Sequence, residues 1–337
     1  MLKYAIIGFG GLGKVHFRAY PEVKEKSCAE VQLVALCDIR ESVFTEQTAT
    51  NLGDSNVDLD LSNFKLYNSV DDLLANEELD FVVTALPTYL HEKIAVQVMK
   101  KGINVFSEKP MAINLEQAES MLNTSREMNV KLMIGQCCRY EPKYNLLKEF
   151  VDTEKYGKLL RADFYRLSPT PIWSWENWFL DETKSGGSAL DLHVHDVDII
   201  NWVLGMPKSV MSFATNYKTK HESIVTQYEY DGMVITCTGE WGCPSNSYPF
   251  QSGFFAKFEK ATVEMKAGKF MIYTEEGEKI EVPLEKTNSY ADEVIDFVDC
   301  IVNNKTSAIN PADSTLNTTK IALSEKLSAD MGERVKF

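Results

Sequence analysis

The chain has 337 residues, 44% of them hydrophobic and 11% aromatic, with a formal net charge of -14 and an isoelectric point near 4.9. The apolar fraction is enough for a sizeable core, and the length predicts two domains. Because nucleic acids are bound mainly through clustered Lys and Arg, the acidic balance argues against a nucleic-acid partner. The first apolar run ends early at glycine, and later apolar runs have strand length, so we predict no signal peptide, no membrane span and a cytoplasmic location.

The seven cysteines are odd in number and show no C-x-x-C spacing, so we predict no disulfide framework. Cys137 and Cys138 are adjacent, and no residue beside them in sequence resembles an activating histidine. We therefore interpret them as small residues at the end of a buried strand rather than as a catalytic thiol.

Apolar strands and amphipathic helices alternate through the first part of the chain. Strands are predicted at 3–10, 31–38, 79–87, 103–110 and 131–139, and helices begin at 13, 70, 91 and 114. Continuous apolar strands separated by helices are typical of a parallel sheet covered on both faces. We predict a doubly wound Rossmann domain over 1–137, with the polar segment 51–64 as an insertion.

The pattern changes after about residue 140 to a mostly β arrangement. Helices are predicted at 142–153, 188–200, 288–303 and 312–331, with strand-like segments at 158–168, 209–219, 222–232, 233–242, 254–268 and 269–284. Turns at Asp231-Gly232 and Glu276-Gly277 predict hairpins. We therefore expect 138–337 to form an α+β domain with a large, mostly antiparallel sheet flanked by helices.

The motif GFGGLG directly follows the first strand and opens a helix, which is the setting of a dinucleotide-binding turn. The residues of this motif that we expect to contact the coenzyme are Gly8, Phe9, Gly10, Leu12 and Gly13. The glycines allow a tight turn, close approach of the pyrophosphate and close helix packing. Asp38 ends the second strand, where a carboxylate binds ribose hydroxyls and favours NAD, whereas Arg40 keeps NADP possible.

Two further stretches carry candidate catalytic groups. Lys109 follows the apolar INVF and precedes a proline, so we expect its ammonium group at the carboxyl edge of the sheet, where it would stabilise charge on a substrate oxygen. In SALDLHVHDVDII, regular α-helical spacing places Asp191, His195 and Asp198 on one face and His193 on another. Asp191 would orient His195 as a general base, although a buried structural pair is the alternative. Because metal sites need more ligands at recognisable spacing, we predict no metal.

With these residues in hand, the sequence resembles the glucose-fructose oxidoreductase, inositol dehydrogenase and MocA family (Gfo/Idh/MocA). The resemblance covers nearly the whole chain and rests on GFGGLGKVH, the E-K-P stretch within 85–112, GQCCRYEPKYNLLKE and GGSALDLHVHDVDIINWVLG. It implies hydride transfer between NAD(P) and a CH-OH group of a sugar, inositol or related polyol. Lys109, Asp191 and His195 would be the catalytic residues, with His195 taking the hydroxyl proton.

The same resemblance implies several binding residues. Leu86, Pro87 and His91 would line the nicotinamide side and Glu108 would lie near the ribose. Asp198 would bind a second substrate hydroxyl, Arg139 would meet cofactor or substrate, and the Lys109-Pro110 bond would be cis. The family also implies a homodimer or homotetramer through the C-terminal sheet.

The aromatic loop with Trp173, Trp175 and Trp178 around Asn177 is consistent with either hydrophobic core or a sugar-binding surface. Two other functions stay open on the same fold. One is a glycosidase that uses NAD for transient oxidation and elimination, without net redox change. The other is a non-catalytic nucleotide or sugar sensor.

Overall fold

The computed structural model describes residues 1–46 and 59–337, so positions 51–58 of the predicted insertion lie outside the described residues. The chain forms two compact units. Unit 1 comprises Met1–Cys137, Trp173–Trp175 and Asn288–Thr315, and unit 2 comprises Cys138–Ile172, Glu176–Thr287 and Leu316–Phe337.

The regular elements follow in chain order. The strands are β1 Leu2–Ile7, β2 Val31–Cys37, β3 Lys65–Tyr67, β4 Phe81–Thr84, β5 Asn104–Glu108, β6 Leu132–Gly135, β7 Leu159–Pro169, β8 Ser209–Thr215, β9 Ser223–Tyr230, β10 Met233–Cys243, β11 Gln251–Phe258, β12 Ala261–Lys266, β13 Lys269–Thr274, β14 Lys279–Val282 and β15 Val335–Lys336. The α-helices are α1 Gly11–Lys26, α2 Val70–Asn76, α3 His91–Met99, α4 Leu115–Glu127, α5 Pro142–Asp152, α6 Glu182–Ser185, α7 Val194–Leu204, α8 Ser289–Val302 and α9 Ala312–Met331.

Unit 1 is built on a six-stranded sheet in the order β3-β2-β1-β4-β5-β6. Every pairing in it is parallel, which confirms the predicted doubly wound Rossmann sheet. All four residues of β4 are buried, as expected for a strand covered on both faces. The strand order reverses between β1 and β4, and ligands of such sheets bind at the carboxyl edge beside this point.

Helix α8 packs on the sheet of unit 1, although the sequence placed it in the second domain. Its apolar face is buried in the same core as β1 and β4. The Phe297 ring meets the rings of Phe81 and Phe106 edge-on, with centroids 5.7 and 5.9 Å apart. Because this face needs an apolar partner, helix α8 belongs to unit 1 rather than to the contiguous segment 138–337.

Unit 2 contains a nine-stranded sheet in the order β14-β13-β12-β11-β7-β10-β9-β8-β15. The central β7–β10 pair is parallel, and the other pairs are antiparallel. The mostly antiparallel sheet is thereby confirmed. The Asp231-Gly232 turn joins β9 to β10, with Gly232 at φ +72°.

The segment that begins α7 is wound differently from the prediction. Residues Ala189–His193 form a π-helical turn, and the regular α-helix begins only at Val194. The uniform α-helical spacing predicted from Asp191 to Asp198 is therefore wrong for its first part. Such π-helical turns are frequent at functional sites because the extra residue re-aims the side chains around it. None of the helices among the described residues is long and apolar enough to cross a membrane.

Candidate active site

The turn after β1 in unit 1 has no room for side chains at its first and last glycines. Gly8 has φ +90°, and a Cβ atom there would lie 2.4 Å from the Ala85 carbonyl oxygen. A Cβ on Gly13 would lie 2.0 Å from the Gly8 oxygen. Phe9 is buried in the core, and Leu12 is half-buried in the first turn of α1. The backbone thus forms the close-packed turn and helix N-terminus that a dinucleotide pyrophosphate requires.

Asp38 and Arg40 lie beside this turn and bond to each other. The Asp38 carboxylate accepts hydrogen bonds from Phe9 N at 2.9 Å and Arg40 N at 2.9 Å. The guanidinium of Arg40 donates to the same carboxylate from Nε at 3.1 Å and from Nη2 at 3.2 Å. An acidic group therefore stands at the end of β2, next to the glycine turn, where the ribose of a dinucleotide binds.

His91 connects two loops at the carboxyl edge of the same sheet. Its Nε2 lies 2.8 Å from the Leu86 carbonyl oxygen, and its Nδ1 lies 2.8 Å from the Pro110 carbonyl oxygen. The imidazole is buried, and burial lowers its pKa, while the two carbonyl oxygens oppose this effect. The ring is therefore a brace between the loop after β4, which contains Pro87, and the loop after β5. The Lys109-Pro110 bond is cis, which confirms that prediction.

Glu108 ends β5 and Lys109 follows it, but the two side chains occupy different environments. Lys109 is half-buried, whereas Glu108 is buried and its carboxylate meets His16 Nε2 at 2.7 Å. Ligand atoms of His16, Glu108 and Glu293 lie within 4.8 Å of one another in the interior of unit 1. The Glu108 carboxylate is therefore part of an interior cluster, and its predicted position near the ribose stays a prediction.

In unit 2, Arg139 and Asp198 form a buried ion pair. Arg139 donates from Nε and Nη2 to the two Asp198 carboxylate oxygens, each at 2.7 Å, and both side chains are 0% exposed. Thr318 donates to the same carboxylate at 2.7 Å. These contacts hold both groups inside unit 2, and the predicted contacts of Asp198 with a substrate hydroxyl and of Arg139 with cofactor or substrate stay predictions. The pair anchors helix α7 to the segment after Gln136.

His195 and Asp191 are the half-buried polar residues of the helical segment. The Nδ1 atom of His195 lies 3.8 Å from the Cys138 thiol sulfur. Arg166 Nη2 donates to the same sulfur at 3.7 Å and to Asp196 at 3.1 Å. One nitrogen of the His195 imidazole therefore lies beside a thiol. An imidazole held in this way can transfer a proton through its other nitrogen, as a general base does.

His193 lies on a different side of the segment and has a structural environment. It is 0% exposed, with Nε2 3.1 Å from a Glu325 carboxylate oxygen and Nδ1 3.5 Å from the Cys237 sulfur.

The aromatic loop is divided between the two units. Trp173 and Trp175 belong to unit 1, whereas Asn177 and Trp178 belong to unit 2. Asn177 is exposed with φ +52°, and the Trp178 ring contacts the Phe179 ring at a tilt of 35°, with centroids 4.2 Å apart. Trp175 instead lies against Arg40, with 5.0 Å between the guanidinium carbon and the ring centroid.

Sequence reasoning missed three contacts of the described site residues: His16 with Glu108, Cys138 with His195, and Trp175 with Arg40. Each joins residues separated by 57 positions or more. All six residues lie in stretches that the sequence had singled out, but nothing local to any of them indicated its partner.

The fold and the glycine turn define a two-unit protein with a dinucleotide-binding Rossmann unit. Sequence models of one family match both parts of the chain: an oxidoreductase family with an NAD-binding Rossmann fold at residues 2–136, and the GFO/IDH/MocA C-terminal domain at residues 144–277. The chain belongs to the GFO/IDH/MocA family. The resemblance deduced from the motifs is confirmed.

Proteins of similar sequence have names that describe different reactions. Glucose-6-phosphate 3-dehydrogenase of Bacillus subtilis is 29% identical over 240 residues, which cover 68% of this chain and 63% of that protein. A 2,7-anhydro-N-acetylneuraminate hydratase of Mediterraneibacter gnavus is 28% identical over 221 residues, which cover 65% of this chain and 54% of that protein. The chain thus spans 63% and 54% of the length of these relatives.

A solved structure matches over the full length. Myo-inositol 2-dehydrogenase from Lactobacillus plantarum superposes with a TM-score of 0.79 at 25% identity, covering 100% of this chain and 99% of that chain. The similarity therefore extends over both units.

Proposed function

We propose that the protein is an oxidoreductase that transfers a hydride between NAD(P) and a CH-OH group of a sugar, an inositol or a related polyol. The position of Lys109 carries this proposal. It follows β5 at the carboxyl edge of the sheet whose glycine turn follows β1, and β4 alone lies between these two strands. An ammonium group at that edge can act on a substrate oxygen beside a dinucleotide bound along it.

NAD is the coenzyme that the adenosine end favours. Gly8 and Gly13 close the turn without room for a Cβ, so the cradle fits the pyrophosphate. Asp38 would accept hydrogen bonds from the ribose hydroxyls and disfavour a 2′-phosphate, whereas Arg40 keeps NADP in reach. Leu86, Pro87 and His91 would support the nicotinamide end.

The chain's own residues would handle the proton and the developing charge. The nicotinamide ring supplies a hydride acceptor when bound. His195 takes the proton of the substrate hydroxyl, and Asp191 orients its imidazole. Lys109 donates a hydrogen bond to the same oxygen and stabilises the negative charge that develops on it as the hydroxyl proton is removed, before the hydride leaves the carbon. In reduction, His195 and Lys109 act in the opposite direction.

The substrate class follows from the relatives together with this chemistry. A glucose-6-phosphate 3-dehydrogenase and a myo-inositol 2-dehydrogenase are among the similar proteins. Asn177, exposed on the aromatic loop, is a candidate contact for a further hydroxyl. A cytoplasmic location stays a prediction.

Assembly through the nine-stranded sheet also stays a prediction, for a homodimer or homotetramer. Phe213 and Val225 oppose each other on β8 and β9, and they are 65% and 43% exposed. An exposed apolar pair on a sheet face favours contact with a second surface. Light scattering of the wild type would measure the mass.

One relative favours a second candidate function without net oxidation. The hydratase of Mediterraneibacter gnavus bears the name of an enzyme that adds or removes water. On this chain, the same base and lysine would serve transient oxidation followed by elimination, as in a redox-neutral glycosidase. A sensor is the third candidate, and it needs coenzyme or sugar binding without turnover.

The test is reduced-nicotinamide absorbance across inositols, aldoses and sugar acids, with NAD and NADP supplied separately. Lys109→Ala should lower turnover about a hundredfold or more, the range measured when a charge-stabilising donor is removed. Lys100→Ala is the control, since Lys100 is an exposed residue at the end of α3.

The outcomes separate the three functions. Net reduction of coenzyme that needs Lys109 but not Lys100 supports the dehydrogenase. Product release from glycosides without net reduction, still dependent on Lys109, supports the redox-neutral enzyme. Coenzyme binding without turnover of the inositols, aldoses, sugar acids or glycosides supports the sensor and contradicts the proposal.

A further inference from the structure

The guanidinium group of Arg40 joins three features of unit 1. It bonds to Asp38 through Nε and Nη2 at 3.1 and 3.2 Å. Its Nη2 lies 3.5 Å from where a Cβ on Gly10 would stand. One face of the side chain lies against the Trp175 ring at 5.0 Å. Trp175 is thereby placed next to the part of the glycine turn where a dinucleotide binds.

Trp175 is far from this turn in sequence but belongs to the same unit. The short segment Trp173–Trp175 joins unit 1 between two stretches of unit 2. The Trp175 side chain is 38% exposed, so part of a large ring faces away from the protein beside Arg40. Indole is the best aromatic partner for a guanidinium, and such contacts strengthen as water is removed.

The hydrogen-bonding capacity of Asp38 explains why Arg40 needs a second contact. A carboxylate offers about four acceptor positions, and Asp38 accepts from Phe9 N, Arg40 N and the Arg40 side chain. Ribose hydroxyls can therefore reach Asp38 only when the guanidinium releases it. Once it has released Asp38, the Arg40 guanidinium needs another group that stabilises its charge, because other cations lie close to it.

That region contains two further cations. Lys14 is buried in α1 and donates from Nζ to the Glu46 carbonyl oxygen at 2.6 Å. Burial lowers the pKa of Lys14, and the nearby Arg18 and Arg40 guanidinium groups lower it further, while the Asp38 and Glu46 carboxylates oppose this effect. Positive charges so close together favour an anionic ligand such as a dinucleotide.

We propose that Trp175 is a positioning residue of the coenzyme site. Its ring holds the Arg40 guanidinium over the glycine turn while the ribose of the adenosine half hydrogen-bonds to the Asp38 carboxylate. The inference rests on the proposed coenzyme binding. It assigns Trp175 of the aromatic loop to the adenosine end of the coenzyme rather than to the sugar.

The test is direct binding, by isothermal titration, of NADH and of ADP-ribose, which lacks the nicotinamide. Trp175→Ala should weaken both ligands about threefold to tenfold, as expected for loss of one cation–π contact. Trp175→Phe should recover most of the affinity. Trp178→Ala is the control, since that ring contacts Phe179 in unit 2 and should leave both affinities unchanged.

A double-mutant cycle shows whether Trp175 acts through Arg40. If it does, Trp175→Ala should have little further effect in an Arg40→Ala background. Equal affinities of wild type and Trp175→Ala, or fully additive losses in the cycle, would overturn the inference while leaving the proposed function intact. Failure of the wild type to bind NADH, NADPH or ADP-ribose would overturn both.

Discussion

The Arg139 guanidinium donates two hydrogen bonds of 2.7 Å to the Asp198 carboxylate, and both side chains are fully buried. Two residues that sequence motifs associate with substrate therefore satisfy each other inside unit 2. Removing one member of such a pair leaves an uncompensated buried charge, which costs much more than the pair itself contributes.

Asp198→Asn should therefore lower the free energy of unfolding by about 3–5 kcal/mol, as measured by urea denaturation. The control is Asp152→Asn, which removes an exposed ion pair with Lys148 one turn away on α5 and should cost about 0.5 kcal/mol or less. If Asp198→Asn had wild-type stability and a raised KM for the polyol, the result would show that Asp198 binds substrate and contradict the structural role.

A comparison of Gly8→Ala with Gly102→Ala separates the cost in stability of backbone strain from the cost of a steric clash. Both glycines have positive φ, but a Cβ on Gly102 meets nothing within 4 Å, whereas one on Gly8 lies 2.4 Å from the Ala85 oxygen. Gly102→Ala should cost about 1–2 kcal/mol of folding stability and leave NADH affinity unchanged. Gly8→Ala should cost more and also weaken NADH, which urea denaturation and titration would measure. Equal stabilities and affinities in the two variants would contradict the steric argument.

His91 predicts a pH dependence of stability. Burial lowers its folded-state pKa, so the unfolded chain, with a pKa of about 6.5, takes up the proton first as the pH falls. The free energy of unfolding should then decrease below about pH 6.5, by at most about 1.4 kcal/mol per pH unit from this residue, and level off below the folded-state pKa.

His91→Gln should remove that part of the slope. The measurement is urea denaturation of wild type and variant at several pH values between about 5 and 8, compared as differences so that other histidines cancel. A steeper loss of stability in the variant on acidification would show that the two carbonyl oxygens hold His91 protonated.

Cys138→Ala tests whether the thiol positions His195. Losing the contact with Nδ1 should lower kcat and shift its pH profile, by less than the roughly hundredfold cost of losing a general base, and Cys138→Ser should recover part of the activity. Cys237→Ala is the matched control, because its sulfur lies 3.5 Å from Nδ1 of the structural His193. An unchanged kcat and pH profile in Cys138→Ala would assign the orientation of His195 to other contacts.

Several features were predictable because they depend on neighbours in sequence. The glycine motif after β1 and the Asp38 that ends β2 are local patterns, and the structure places them together as expected. The Asp231-Gly232 hairpin follows from turn chemistry. The alternation of apolar strands and helices was enough for the parallel sheet.

Other features depend on packing that sequence spacing does not encode. Helix α8 joins unit 1 because its apolar face fits the core around Phe81 and Phe106. The π-helical turn at Ala189–His193 inserts an extra residue that ideal helical spacing does not anticipate. Such choices are settled by which surfaces meet after the chain collapses.

Short-range patterns report backbone conformation and residue type, so they were sufficient to predict the class of each unit and the dinucleotide turn, while the catalytic roles of Lys109, Asp191 and His195 stay predictions. The pairing of buried polar groups, as in Arg139 with Asp198 and His91 with the Pro110 carbonyl, is visible only in the folded structure. Buried polar groups must be paired wherever the partner lies in the chain, so their roles depend on contacts across long sequence separations.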